Sequence, residues 1–359
     1  MSAGGQLWVN GELVGADSLN DWRRGRSGIE AELADFLERW FDDTPTMELH
    51  TSGSTGKPKT IRAPKEAMRR SAELTLAAFG LQRGARVLLA LPLRYIAGQM
   101  MVVRALVGGL HLLLREPSSL LPAEEEVAFA PLVPMQLYRT LQEPDGLERL
   151  NRVHTLLLGG GFADLPERAA GLRSRVFASY GMTETLSHIA LRRLNGPEAD
   201  AWYRPLPGVR VGRDAQGCLT VAAAHLGGSE LVTHDVAELA PDGRFRILGR
   251  RDAVINSGGI KIQAEEVEQA IRALTGLACI AVPAPHPLLG QCVALLWEGS
   301  PADEARLLAA TAQLPRYQRP RLLCRTDALP RTTSGKPARA EAARLMQREH
   351  GATSPFGAR

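Results

Sequence analysis

The feature that most constrains this chain is a rhythm between residues 87 and 181, where short apolar runs alternate with helical patterns. Residues 87–91 read as a strand, 97–107 as a helix, 110–114 as a strand and 134–141 as a helix. Residues 153–158 then run into Gly159-Gly160-Gly161, and 175–178 into Tyr180-Gly181. Strands separated by helices pair in parallel through crossovers, which predicts a mainly parallel, layered α/β sheet. Ligand loops in such sheets lie beyond the carboxyl ends of the strands, where these glycine-rich turns fall. The longest apolar region, 87–114, is interrupted by Pro92, Arg94 and Arg104, which excludes a simple membrane span.

The flanks follow other patterns. Residues 7–9 suggest a short strand, and Ile29, Leu33, Phe36 and Leu37 share one helical face. The stretch 49–59, LHTSGSTGKPK, reads as a flexible loop leaving a strand, with a helix opening near Ala63-Pro64. From residue 209 onward, short apolar runs at 209–211, 219–221, 237–239 and 245–248 are split by turns such as Asp242-Gly243, predicting an antiparallel subdomain. Beyond Gly249-Arg250-Arg251-Asp252 come a helix at 264–274, strands near Ile280 and Val293, a helix from Pro301 and a strand near Leu322. The expected division is therefore a large domain over 1–251, a small mobile α+β domain over 252–346, and a disordered tail over 347–359.

Charge narrows the partners. The net charge is +4, and only five of the 43 basic residues are lysines: Lys57, Lys59, Lys65, Lys261 and Lys336. The arginines are dispersed among acids with little aromatic interleaving, so small anionic substrates explain the balance better than nucleic acid does. Cys218, Cys279, Cys292 and Cys324 form no CxxC pair and read as buried thiols of a reducing cytoplasm. The first residues carry no basic segment followed by a long apolar run, so neither a signal peptide nor a membrane partner is expected.

Within 49–59, Thr51, Ser52, Gly53, Ser54, Thr55 and Gly56 offer hydroxyls and backbone N–H groups, and Lys57 and Lys59 add charge. That combination suits a polyphosphate. The spacing differs from the GxxxxGK(S/T) phosphate loop, because Gly53 and Gly56 are too close and Pro58 follows Lys57.

Together these motifs resemble one family, the adenylate-forming enzymes that include acyl-CoA synthetases, peptide-synthetase adenylation domains and luciferases. The segment 51–59 resembles the family's phosphate loop, Tyr180-Gly-Met-Thr-Glu-Thr185 its YGxTE motif, and Thr233-His-Asp235 its TGD element. The segment 249–262, leading into Glu265 and Glu266, resembles the inter-domain hinge, and 330–336 the motif ending in a catalytic lysine. Within the family, YGMTETLSHIALRRLN and LPLRYIAGQMMVVRAL are most similar to short o-succinylbenzoate–CoA ligases of menaquinone biosynthesis.

The resemblance implies ATP, Mg²⁺ and coenzyme A as reactants and cofactor. A carboxylate attacks the α-phosphorus of ATP and expels pyrophosphate; the CoA thiol then displaces AMP from the acyl-adenylate. Both steps need crowded anionic oxygens stabilised more than they need a base. The family's roles fall on Thr51 to Gly56 with Lys57 or Lys59 for the β- and γ-phosphates, Thr183 for the α-phosphate and Glu184 for Mg²⁺. They fall on Asp235 and Arg250 for the ribose, Tyr180 with Gly159, Gly160 and Gly161 for adenine, and Lys336 for the first half-reaction. Asp252 is the expected hinge, and Gly258 and Gly259 either let pantetheine pass or form a tight turn. Arg94, Tyr95, Ser187 and His188 are candidate pocket residues, while Glu265 and Glu266 are expected to cap the helix that follows them.

Two departures from the family stand out. Only fifty residues precede Thr51, where family members carry a far longer segment, and a homodimer is one way to cover the gap. Tyr95 also occupies the place of the His in PLxHxxG. A carrier-protein-loading adenylation enzyme and a non-catalytic nucleotide binder are the alternatives. No carrier-like segment follows, and Glu184 and Lys336 are intact.

Overall fold

A computed structural model describes residues 5–50, 60–159, 165–257, 260–286, 289–332 and 335–350. Its contacts group the chain into two compact units. The first comprises Met1–Arg210, Ala222–Glu230 and Pro241–Arg244; the second comprises Val211–Val221, Leu231–Ala240 and Phe245–Arg359. No helix among the described residues is long and apolar enough to cross a membrane.

The first unit is built on a nine-stranded sheet. From one edge its strands are Arg204–Pro205, His188–Arg193, Arg175–Gly181, Val153–Leu158, Val127–Leu132, Arg86–Leu89, His111–Leu114, Leu7–Val9 and Glu12–Val14. The six central strands, from Arg175–Gly181 to Leu7–Val9, pair in parallel, and both edges are antiparallel. The parallel core is the expected one. At one edge Asn10 and Gly11, at φ 48° and 88°, make the tight hairpin turn that two left-handed residues allow. The Asn10 side chain then pairs with the end of the neighbouring strand: Leu114 N donates to its Oδ1 at 2.9 Å, and its Nδ2 donates to Leu114 O at 3.3 Å.

Helices cover this sheet according to their patterns. Gly28–Phe41 buries Ile29, Leu33, Phe36, Leu37 and Trp40, the face read from the sequence. Ile96–Gly108 is buried from Gly98 through Ala105, including Arg104, as its near-continuous apolar character requires. It ends at Gly109, whose φ of 57° closes the helix in the left-handed conformation. At its start a Cβ on Gly98 would lie 2.4 Å from the Pro92 carbonyl oxygen, so the close approach depends on glycine.

The helix read as opening near Ala63-Pro64 is Lys65–Phe79, with Pro64 at its N-cap, but a strand not anticipated from the sequence, Thr60–Pro64, precedes it and pairs antiparallel with Thr46–His50. Residues 51–59 therefore connect two paired strands, with His50 opposite Thr60. The cause lies in cross-strand burial: Met47, Leu49 and Ala63 enter the core from a hairpin too short to show a clear period. Lys65, which shared the neighbourhood of the lysine-rich motif, is buried and donates to Asp42 Oδ1 at 2.7 Å and Asp42 O at 2.9 Å. It is a structural residue.

The second unit contains most of an antiparallel four-stranded sheet, Val209–Arg213, Cys218–Ala223, Glu230–Leu239 and Phe245–Arg250. Its C-terminal part carries a five-stranded sheet in which Ala278–His286 and Gly290–Glu298 form a long antiparallel pair and Leu322–Thr326 adds in parallel. Alternate residues face opposite layers. Cys279 and Ala281 pack with Val267, Ile271 and Leu307, whereas Ile280 and Val282 pack with Ala342 and Met346. Those last two contacts anchor the helix Arg339–His350, which extends into the segment expected to be disordered; 351–359 lies outside the described residues.

Candidate active site

In the first unit the expected site residues gather at the carboxyl end of Arg175–Gly181. A Cβ on Gly159 would sit 3.3 Å from Ser179 Oγ, so Gly159 backs directly onto the strand that carries Tyr180. Tyr180 is half-buried, its ring edge-on to Tyr203 at 5.9 Å between centroids. Gly160 and Gly161 lie outside the described residues, as do Thr51 to Lys59.

The YGMTET segment is a rigid turn. Thr185 is fully buried: Met182 N donates to its Oγ1 at 2.9 Å, and that hydroxyl lies 2.7 Å from the Ser187 carbonyl. A Cβ on Gly181 would stand 2.2 Å from that same carbonyl oxygen, so only glycine lets the turn close. Leu186 holds φ 64°, a costly value for a branched residue, with its side chain buried. Thr183 opens the single 3-10 turn Thr183–Thr185, and Glu184 projects from it exposed to solvent. Packing thus fixes the turn, with Thr183 half-buried and Glu184 exposed on it.

Ser187 and His188 lead inward to a residue not anticipated from the sequence. Arg104 is 2% exposed and donates from Nη2 to Ser187 Oγ, while its Nε is buried without an acceptor among the described residues. No carboxylate among them pairs with it, and burial alone pushes its guanidinium down to about 9. His188 is likewise buried; desolvation and then the Arg104 charge hold its pKa well below the usual histidine value. Its Nδ1 lies 3.3 Å from Ser187 Oγ and its Nε2 3.3 Å from Thr75 Oγ1. Arg94, by contrast, is exposed, with its guanidinium 5.0 Å above the Tyr95 ring. Ser187 and His188 therefore meet Arg104 of the buried helix. The available signal was a single arginine set in the apolar run MMVVRAL.

The second unit carries the remaining candidates. Asp235 and Arg250 face one another across paired strands, with Arg250 Nη1 donating to Asp235 Oδ1 at 3.3 Å. Asp252 lies in the short turn Arg251–Ala253, between Phe245–Arg250 and Val254–Ser257. Gly258 and Gly259 lie outside the described residues, and the strands flanking them pair antiparallel with Ser257 opposite Ile260. Lys336 is exposed on a tight turn, where Thr332 N donates to Lys336 O at 2.8 Å and Gly335 takes φ 79°. Glu265 does more than complement the helix start. It is buried and paired with Arg339 at 2.9 Å, although burial outweighs that pairing and raises its carboxyl pKa. The expected cap is thus an internal ion pair, formed because Arg339 also engages Glu268 and the Ala281 carbonyl.

A parallel sheet with glycine at a strand exit, a rigid YGMTET turn beside it and a second α+β unit together define an adenylate-forming α/β enzyme. The chain belongs to the AMP-binding enzyme family, whose model matches residues 22–213. An acyl-CoA synthetase (AMP-forming)/AMP-acid ligase II-like protein from Dyadobacter fermentans is 34% identical, with a TM-score of 0.61 over 91% of this chain and 97% of that one. The o-succinylbenzoate CoA synthetase (MenE) of Bacillus subtilis, in complex with the acyl-adenylate intermediate OSB-AMP, is 25% identical, with a TM-score of 0.70 over 82% of this chain and 68% of that one. Among curated relatives, the 2-succinylbenzoate–CoA ligase of Listeria monocytogenes is 29% identical over 90% of this chain and 76% of its own length. That of Lactococcus lactis is 26% identical over 84% and 71%.

Proposed function

We propose that this AMP-forming acid–CoA ligase acts on o-succinylbenzoate, joining one of its two carboxylates to coenzyme A through an acyl-adenylate. The observation that carries the choice of acid is Arg104. A buried guanidinium with no carboxylate partner is destabilising unless an anion is brought to it. A dicarboxylate supplies one carboxylate for activation and a second for Arg104, with half-buried Ser187 at the boundary between them. The relatives named as 2-succinylbenzoate–CoA ligases support the same acid.

In this reading the exposed Thr183–Glu184 edge of the turn faces the nucleotide. The Thr183 hydroxyl donates to an α-phosphate oxygen. A single exposed carboxylate at Glu184 suits Mg²⁺, which keeps several waters and takes one or two carboxylates beside substrate phosphates. Bound there, the ion would neutralise charge on the phosphate oxygens. The Asp235 carboxylate accepts from the ribose hydroxyls and Arg250 assists as a donor. The exposed ammonium of Lys336 stabilises the crowded oxygens during adenylation, and residues 51–59 hold the departing pyrophosphate. A division into 1–251 and 252–346, hinged at Asp252, would let Lys336 and CoA take turns beside the same phosphate.

Acid-dependent ATP–pyrophosphate exchange over a panel of carboxylates tests the proposal. o-Succinylbenzoate is expected to give the highest rate. A medium-chain fatty acid exchanging faster would exclude it as the substrate.

A further inference from the structure

One set of hydrogen-bond directions satisfies the hydroxyls and ring nitrogens around Arg104 together. Thr75 Oγ1 has a single hydrogen and gives it to the Ser71 carbonyl at 3.2 Å, since a carbonyl can only accept. Toward His188 Nε2 the same oxygen must therefore accept, which places the imidazole proton on Nε2. Burial disfavours a second ring proton, so Nδ1 is bare and accepts the hydrogen of Ser187 Oγ. What Ser187 then presents to Arg104 is a lone pair, the only kind of partner a guanidinium can use. If the imidazole proton sat on Nδ1, Ser187 Oγ would accept from both Nδ1 and Arg104 and its own hydrogen would lose Nδ1 as acceptor.

We propose that Thr75 and His188 are positioning residues, which orient the Ser187 hydroxyl so that its lone pair holds the Arg104 guanidinium where the second carboxylate of the acid is read. The inference rests on the dicarboxylate reading and goes beyond it by assigning selectivity to two side chains that need not touch substrate. Packing holds both side chains. Thr75 is fully buried on Lys65–Phe79, and the His188 ring is flanked by Phe79, whose centroid is 6.3 Å away.

The test compares o-succinylbenzoate with a monocarboxylate analogue that keeps the activated carboxylate and lacks the other. Thr75→Val keeps the shape and removes the hydroxyl. It should raise KM for the dicarboxylate by about tenfold, the worth of one buried hydrogen bond, and leave its kcat and the monocarboxylate kinetics within about twofold. Thr75→Ser, which restores the hydroxyl, should restore KM. His188→Phe should shift the ratio of the two acids in the same direction, covering the case in which Thr75→Val folds poorly. Arg104→Met serves as the control on the parent reading. If it abolishes the preference for the dicarboxylate while Thr75→Val and His188→Phe leave that preference intact, the positioning role is wrong and the reading of the acid stands. If Arg104→Met leaves the preference unchanged, the dicarboxylate reading falls and takes the positioning role with it. Equal losses on both acids in Thr75→Val, unrescued by serine, would mean that Thr75 serves only packing.

Discussion

At the scale of single residues, Arg104, His188 and Lys336 each carry a testable consequence. Arg104 is held at a cost to stability, because a buried ion with no carboxylate beside it among the described residues loses its hydration and gains little in return. Arg104→Met should therefore stabilise the protein, by roughly 1–4 kcal/mol, while removing the preference for a dicarboxylate; a lower thermal midpoint would show that the charge is already compensated. His188 makes stability depend on pH. Its folded pKa lies well below the ordinary histidine value of about 6.5, so the unfolded chain binds the extra proton. Its contribution is complete above that value and is lost as pH falls below it, by at most about 1.4 kcal/mol per pH unit. Urea unfolding between pH 7.5 and 5.5 should show this slope, and His188→Phe should flatten it. The third residue is Lys336, exposed and set on its own turn. Lys336→Ala should lower adenylation by about 10²–10³-fold, the usual worth of one preorganised charge, and spare thioester formation from supplied acyl-adenylate. Equal loss in both half-reactions would argue against its role in the first alone.

Among the elements, the YGMTET turn is the one on whose geometry the proposed chemistry rests. It is closed by the Thr185 hydroxyl and by the absence of a side chain at Gly181, and Leu186 is held at a positive φ within it. Gly181→Ala would press a methyl group against the Ser187 carbonyl oxygen, so the turn must open. We expect a stability loss of about 1–3 kcal/mol, as in other overpacked sites, together with a fall in ATP–pyrophosphate exchange. Normal exchange in a stable Gly181→Ala protein would show that Thr183 and Glu184 do not depend on the closed turn. The buried helix Ile96–Gly108 is the other decisive element, since it delivers Arg104 into an apolar interior that no surface helix could reach.

For the molecule as a whole, the two half-reactions place opposite demands on one phosphate site, and the proposed hinge at Asp252 meets them. It falls in the short turn Arg251–Ala253, where few backbone angles have to change. Asp252→Pro would restrict φ there. The expected outcome is near-normal acyl-adenylate formation with severely slowed transfer to CoA in single-turnover assays. Fast transfer in that variant would place the hinge elsewhere.

Much of this protein was legible in its amino acids because local physics dominates those parts. Apolar runs at 87–91 and 153–158 marked central strands, and Ile29, Leu33, Phe36 and Leu37 marked a helical face that the fold buries. The order of motifs pointed to the reaction class, since phosphate chemistry demands hydroxyls, glycines and charges in close sequence. The hairpin Thr46–His50 with Thr60–Pro64 was not legible, because pairing across strands leaves little local signature. Nor was the ion pair of Glu265 with Arg339, made between residues far apart in the chain. Arg104 shows the limit most clearly. In the sequence it is one arginine among many; burial against Ser187, with no carboxylate beside it among the described residues, is what singles its charge out. The local pattern determined which elements form and which chemistry they can carry. Long-range packing alone decided which charges were left without partners, because the cost of burying a charge depends on everything that surrounds it.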